Sequence, residues 1–357
     1  MLLSEKSVRS TALRTEHSSQ RDSRRNAHTM ISASHAPELR PLGRSGLSTA
    51  PLVLGGNVFG WTCDERNSFA VLDAFVDAGF NMVDTADVYS RWAPGHVGGE
   101  SETVIGKWLK ASGQREKVVI ATKCGFLAGR NGTAEGGLTR VNIRTAVEAS
   151  LRNLQVEVID LYQAHGDDQS TPLEETLTAF AELQAEGKIR AFGASQISPE
   201  RLSESLAVSA RLALPGYTTL QPWFNLLERP RFENGLRDIC MSNQLGVVNF
   251  FGLARGFLTG KYRSEADLSK SVRGEGVGQY MNARGYAVLD ALDDVSRRLG
   301  ATPAQVALAW QMAQPGITAP IASATQVTQL KELLGAASLV LDAEALAALD
   351  RASSSDV

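Results

Sequence analysis

Phe80-Asn81-Met82-Val83-Asp84-Thr85-Ala86-Asp87-Val88-Tyr89 is the stretch whose reading decides the fold. It begins as an apolar run, as a buried strand does, and ends in two acids and a phenol. Two further runs end in the same way. Val118-Val119-Ile120-Ala121-Thr122 leads into Lys123, and Val158-Ile159-Asp160-Leu161-Tyr162-Gln163-Ala164 leads into His165. Three strands thus deliver Asp84, Lys123 and His165 at their C-terminal ends, with Tyr89 in the loop beyond the first. If the strands are parallel neighbours, those ends meet on one face, which is where barrel enzymes assemble their sites.

Outward from that stretch, strand and helix patterns alternate with short connections, which predicts βαβ units and a parallel sheet. Strands are expected at residues 52–56, 80–84, 118–123, 158–164, 189–193, 218–221, 247–251 and 318–321. Between the first two, Phe69, Leu72, Phe75 and Val76 recur at helical spacing and Gly79 marks the stop. Thr171-Pro172-Leu173-Glu174 predicts a capped helix start with a capping box, and Ser198-Pro199 predicts another. One helix is expected over 232–243. Residues 252–285 form a long polar, glycine-rich connection of the kind that is usually functional. Leu42-Gly43-Arg44-Ser45-Gly46-Leu47-Ser48 predicts a small hairpin. Eight strands alternating with helices favour one closed α/β barrel, a (β/α)8 TIM barrel with an N-terminal β-hairpin, over an open sheet. No Gly-x-Gly-x-x-Gly follows the first strand, which counts against a Rossmann domain.

Composition narrows the function. The chain has 357 residues, 43% hydrophobic and 21% charged, with a formal net charge of -3 and a pI near 6.0. Nothing there favours nucleic acid or an anionic membrane surface, and no apolar run is long enough to span a bilayer. The three cysteines, Cys63, Cys124 and Cys240, lack metal-ligand spacing and fit a reducing, cytoplasmic location. Of five histidines, three (His17, His28, His35) fall in the leader, which speaks against a metal-dependent hydrolase. Residues 1–36 are polar, rich in Ser and Arg, without a secretory h-region, and are expected as a disordered leader. The barrel is expected over 37–357.

The segments Asp84-Thr85-Ala86-Asp87-Val88-Tyr89, Ala121-Thr122-Lys123, Asp160-Leu161-Tyr162-Gln163-Ala164-His165, Gly193-Ala194-Ser195 and Leu253-Ala254-Arg255-Gly256-Phe257-Leu258-Thr259-Gly260-Lys261-Tyr262 resemble the aldo-keto reductases in order and spacing. The resemblance runs from about residue 39 to the end of the chain. It implies that the hairpin plugs the bottom of the barrel and that Asp84, Tyr89, Lys123 and His165 are a catalytic tetrad with Tyr89 as general acid. The chemistry agrees. A phenol has an ordinary pKa near 10, a neighbouring ammonium favours its phenolate, Asp84 can hold that ammonium, and His165 can orient a carbonyl oxygen. Asp87 is expected as a solvated or loop-bonding acid, and Tyr162 as a packing residue.

The resemblance also implies NADPH/NADP+ as cofactor. Gly56 and Asn57 end the first strand within the expected cofactor site. Ser195, Gln196 and Gln221 match residues that hold the nicotinamide amide, although the family usually has Asn where Gln196 stands. Phe250 matches a ring that stacks on the nicotinamide. Phe251, Gly252 and Leu253 match the backbone that meets the pyrophosphate. Gly256 and Lys261 continue that loop, and Arg273 comes down over the adenosine phosphate. Ser323, Thr325, Gln329 and Glu332 match the segment around the 2′-phosphate and adenine. Phe59, Trp61, Trp92, Trp223 and Phe224 lie on loops after strands, which predicts an aromatic substrate mouth for a small-molecule carbonyl compound. No metal site is expected. Monomer and homo-oligomer stay open, as does the alternative of a cofactor-binding regulatory partner with the same fold.

Overall fold

A computed structural model of the chain describes residues 36–126, 137–271 and 274–354. The expected leader therefore lies outside the described residues, except for residue 36. Within residues 37–357, β1 (Arg40–Pro41) and β2 (Ser48–Thr49) pair antiparallel as the predicted hairpin. Eight parallel strands follow: β3 (Val53–Gly55), β4 (Met82–Asp84), β5 (Val119–Cys124), β6 (Ile159–Ala164), β7 (Ile189–Ser195), β8 (Thr219–Gln221), β9 (Gly246–Val247) and β10 (Ile321–Ala322). They hydrogen-bond in the order β10-β3-β4-β5-β6-β7-β8-β9. The ends of that row also meet. The amides of Thr318 and Ala319 donate to the Val247 carbonyl at 2.9 and 3.2 Å, and the Ile321 amide donates to the Asn249 carbonyl at 2.8 Å. The sheet is thereby a closed (β/α)8 barrel.

Two apolar layers hold it. Alternate strand residues face opposite sides, so Val53, Met82, Ala121, Leu161, Ala191 and Val248 form a small inner core, joined by Leu42 and Leu47 of the hairpin. Ile120, Cys124, Tyr162, Phe192 and Leu220 face outward into the larger core under the helices. Tyr162 packs on Phe180, ring centroids 5.6 Å apart. The hairpin is seated by a bridge between Gly43 and Leu245. Only glycine fits there: φ is +56°, and a Cβ would stand 2.1 Å from the Gly246 nitrogen.

Period-two alternation also aims the site. Asp84 stands above Met82, Lys123 above Ala121, and His165 above Gln163 and Leu161, all on the inward rows. Register places Asp84 opposite Ala121, Lys123 opposite Gln163 and Ser195 opposite Gln221.

Some local expectations are corrected. The helix expected over 232–243 is two pieces, Pro230–Glu233 and Leu236–Ser242, broken where Gly235 takes φ +97°. Thr171 does not cap helix Leu173–Ala185; its hydroxyl donates to Asp168 Oδ2 at 2.6 Å, and Glu174 pairs with Arg211. Ser198 does cap Pro199–Arg211, accepting from the Arg201 amide. Among the described residues, the long connection after β9 contains 3-10 turns within Ala254–Thr259, interrupted by a kink at Arg255 and Gly256, and in Glu265–Lys270 and Gly274–Tyr280.

Candidate active site

The C-terminal strand ends bring Asp84, Lys123, Tyr89 and His165 together. Lys123 is fully buried and Asp84 nearly so. The lysine Nζ donates to Asp84 Oδ2 at 2.7 Å, to the Thr85 carbonyl at 2.7 Å and to the Tyr89 hydroxyl at 2.9 Å. An ammonium has three hydrogens, and all three are committed. Tyr89 accepts one of them, which leaves its own proton free for another acceptor. Gln221 Nε2 donates to Asp84 Oδ1 at 2.8 Å, so both carboxylate oxygens are engaged.

The electrostatics follow from burial and this pairing. Burial raises the Tyr89 pKa; the Lys123 charge opposes it, and the net direction is up. The expected lowering by the ammonium is present, but desolvation outweighs it, and Tyr89 holds its proton at neutral pH. Burial pulls the Lys123 pKa down, yet Asp84 and Tyr89 together outweigh it and keep the amine charged. Burial, followed by repulsion from Lys123, lowers the His165 pKa well below the usual imidazole value, so His165 is neutral. Its ring lies edge-on to Tyr89 at 5.8 Å and against Phe126 at 4.8 Å. A neutral imidazole carries one N–H to donate. The constellation can therefore protonate an oxygen next to a steadily held positive charge.

Asp87 bonds the loop amide of Val88, as one of its two expectations had it, but it is not solvated. Its Oδ1 is buried without a hydrogen-bond partner. Burial, then the charge of Glu102, pushes its carboxyl up to about 7, against weaker lowering by the Val88 amide, Lys123 and Arg91.

A cavity of about 630 Å³ opens from the tetrad. Asp84, Tyr89 and His165 line its inner end, with Ser195, Gln196, Gln221 and Phe250 beside them. Ser195 Oγ donates to the Gln221 carbonyl at 2.9 Å, and Gln196 Nε2 donates to the His165 carbonyl at 3.0 Å. The groove continues past Phe251, Gly252, Leu253, Gly256 and Lys261 to Ser323, Thr325 and Gln329, with Asn57 alongside. Ser323 Oγ donates to Asn57 Oδ1, and Gln329 Oε1 accepts from the Thr325 amide. Phe251, Ala254, Arg255 and Gly256 all take positive φ, at 56, 47, 59 and 99°. Non-glycine residues in that region carry strain, and such strain clusters at ligand sites. Helix Val327–Leu334 opens at the groove's far end without a side-chain cap, leaving its first amides for an anion.

Not every expected residue reaches this cavity. Phe59 is fully buried in the outer core, and Phe224 stacks on Trp310 at 5.5 Å; neither can meet a substrate. Gly56 lies behind the groove, its amide on the Asp84 carbonyl and its own carbonyl on Ser101 Oγ. Glu332 is exposed, and its carbonyl serves Gln305. Trp61 does not line the cavity but makes an edge contact with Trp92, which does, at 5.5 Å. Trp92 and Trp223 do line the cavity. Arg273 lies outside the described residues. Sequence reasoning missed Phe126 and Arg255, which also line the cavity; Arg255 stood inside a quoted motif, but its side-chain direction depends on a backbone turn that no pattern announces. Among the described residues, no cluster of three or more His, Cys, Asp or Glu could hold a metal. No helix of the described residues is long and apolar enough to cross a membrane.

Comparison with known proteins yields a match of residues 51–354 to the Aldo/keto reductase family. An uncharacterized oxidoreductase, YrpG, of Bacillus subtilis (strain 168) is 35% identical over 87% of this chain and 94% of its own length. A putative voltage-gated potassium channel subunit beta of Schizosaccharomyces pombe is 33% identical over 82% of this chain and 86% of its own. The aldo-keto reductase YhdN of B. subtilis is 32% identical over 81% and 83%.

Proposed function

Because this chain belongs to the aldo/keto reductase family, with oxidoreductase chemistry as its coarse class, we propose that it reduces an aldehyde or ketone to the alcohol with NADPH, reversibly. One observation carries the reading: the Tyr89 hydroxyl accepts from Lys123 at 2.9 Å, beside an open cavity, with Asp84 behind the amine.

The residues present suit a nicotinamide dinucleotide. Ser195, Gln196 and Gln221 offer polar groups for a carboxamide, Phe250 a ring for stacking, and the left-handed loop from Phe251 to Gly256 a close backbone path for phosphates. Lys261 and the uncapped start of helix Val327–Leu334 supply positive potential for a 2′-phosphate. Bound there, NADPH supplies the hydride.

The chain's own work is with the proton. His165 donates to the substrate's carbonyl oxygen and orients it beside Tyr89. As negative charge grows on that oxygen, Tyr89 releases its proton to it. Lys123 stabilises the phenolate that remains, and Asp84 keeps the lysine charged while balancing the buried cation. Each pKa unit by which the ammonium eases that release is ~1.4 kcal/mol. The buried Lys123–Asp84 pair is weak evidence for stability, since desolvation offsets its attraction; positioning accounts for it better. The aromatic rim of Trp92, Trp223 and Phe126 favours a substrate with an apolar body. A cytoplasmic location suits the three buried, unpaired cysteines.

The test is NADPH oxidation, followed at its near-ultraviolet absorbance, with a panel of aromatic and aliphatic carbonyls. Turnover of several, lost in Tyr89→Phe, is expected; Tyr89→Phe matching wild type would refute the acid assignment. The relatives named as channel subunits support a second reading, a cofactor-binding regulatory partner. Tight NADPH binding without turnover on any carbonyl would favour it.

A further inference from the structure

We propose that the mouth of this cavity recognises an acid group, a carboxylate or phosphate, on the carbonyl substrate, through Arg255 with Trp223; the proposal rests on the reductase reading. Trp223 follows β8 and lines both the main cavity and an adjoining one of about 370 Å³, which Ser198, Arg231 and Asn234 also border. Two guanidiniums lie against its indole. Arg231 sits 4.3 Å from the ring centroid, and Arg255 sits 5.9 Å from it and 4.6 Å from the Phe251 ring.

The two cations differ in their compensation. Arg231 Nε donates to Glu228 Oε2 at 2.7 Å. The other oxygen of Glu228 accepts from the Tyr280 hydroxyl at 3.2 Å, so that carboxylate is fully engaged. Arg255 has no ion-pair or hydrogen-bond partner among the described residues, and its Nε is buried with none. Trp223 Nε1 is likewise buried without an acceptor. The corner is thus rich in donors and short of acceptors. Buried donors are normally satisfied, and a planar guanidinium held by aromatic stacking is suited to a two-oxygen anion.

The backbone spends strain to put the guanidinium there. Arg255 takes φ +59° between two other left-handed residues, Ala254 and Gly256. Its side chain is thereby laid across Phe251 and Trp223. Lys261, the cation suited to the cofactor's 2′-phosphate, stands over Tyr262 instead. A substrate with its carbonyl at Tyr89 and His165 has the Trp223 corner open to its other end.

One anion could also come from the cofactor's own pyrophosphate, and the experiment separates the two sources. With NADPH saturating, kcat/KM is measured for 4-carboxybenzaldehyde and for its uncharged methyl ester. Wild type is expected to favour the acid, and Arg255→Gln to lower the acid-to-ester ratio by about tenfold. Arg255→Lys should recover part of that ratio. Trp223→Phe, which keeps a ring but removes the N–H, should lower it by less. An unmoved ratio overturns the proposal. So does an Arg255→Gln protein that binds NADPH several-fold more weakly, by fluorescence titration, with both substrates falling together; that result assigns the guanidinium to the cofactor. If neither aldehyde turns over, the reductase reading fails separately. Calorimetry of 4-carboxybenzaldehyde with the NADP+-mixed protein then decides the anion site: binding lost in Arg255→Gln upholds it, and no binding to wild type overturns it.

Discussion

Gln221 reaches across the barrel mouth to donate its side-chain amide to Asp84 Oδ1 at 2.8 Å, over 137 residues of sequence. Lys123 takes the other oxygen of the same carboxylate. The glutamine therefore fixes the plane of Asp84, and through it the height at which Lys123 meets Tyr89. Its remaining side-chain oxygen is left to accept from a ligand amide.

Removing that donor tests the linkage. Hydrogen bonds to charged groups contribute ~1.5–3 kcal/mol, so Gln221→Leu should lower kcat by roughly tenfold or more, with a lower melting temperature. Gln221→Glu should do worse, because a second carboxylate beside Asp84 competes for the ammonium and disfavours joint ionisation. Steady-state kinetics with thermal melts check both. If Gln221→Leu leaves kcat untouched, Asp84 is held by Lys123 alone.

Tyr89→Phe deletes one hydroxyl at the edge of an open cavity and should leave the fold intact. Reduction should slow by ~10²–10⁴, the usual worth of positioned proton transfer, while NADPH affinity changes little. Single-turnover kinetics and cofactor fluorescence separate the two. An equal loss of binding and rate would instead mean that the ring shapes the cofactor site.

Asp87 gives stability a pH dependence. Its folded-state pKa, about 7, lies above the ordinary carboxylate value near 4. Below the ordinary value both folded and unfolded chains are protonated, and the contribution is fully present. As pH rises through about 7 the folded state must ionise a buried carboxyl whose Oδ1 has no hydrogen-bond partner, and the contribution is lost. Asp87→Asn should flatten that decline and melt about 2–4 °C above wild type at pH 8, with no gain at pH 4. Melts across that range decide it; parallel curves would exclude Asp87 as the source.

Lys261 lines the same groove as Ser323 and Gln329, without an ion-pair partner among the described residues. Lys261→Ala should weaken NADPH by several-fold more than NADH, since only the former carries the 2′-phosphate. Comparative fluorescence titrations measure it, and equal losses would place that phosphate elsewhere.

The barrel was legible where the chain is periodic. Apolar runs before Asp84, Lys123 and His165 marked buried strands, and alternation alone set Lys123 on the same side as Ala121. It was less legible where packing partners come from afar. Phe224 sits on a loop after β8 and read as a pocket wall, but Trp310, 86 positions later, stacks on it and takes it into the core. The run through Phe251 read as one strand, yet the ladder of β9 covers two residues, pairing resumes only as an isolated bridge between Trp223 and Phe250, and the backbone turns left-handed at Phe251. That same turn decides where Arg255 points. Loop aromatics and loop cations depend on backbone angles and distant neighbours, and a hydrophobic pattern records neither.

The barrel's closing seam has a further consequence. Three backbone bonds from the 318–321 segment to Val247 and Asn249 join its ends, where no strand ladder pairs β9 with β10. Phe250 lies on one bank of that seam and Ser323 on the other, both facing the same groove. A dinucleotide laid along the groove would act as a clasp across the joint that no strand ladder closes. Deuterium uptake at the amides of Thr318 and Ile321 should then be among the fastest of the strand amides in the empty protein, and should slow most when NADP+ is added.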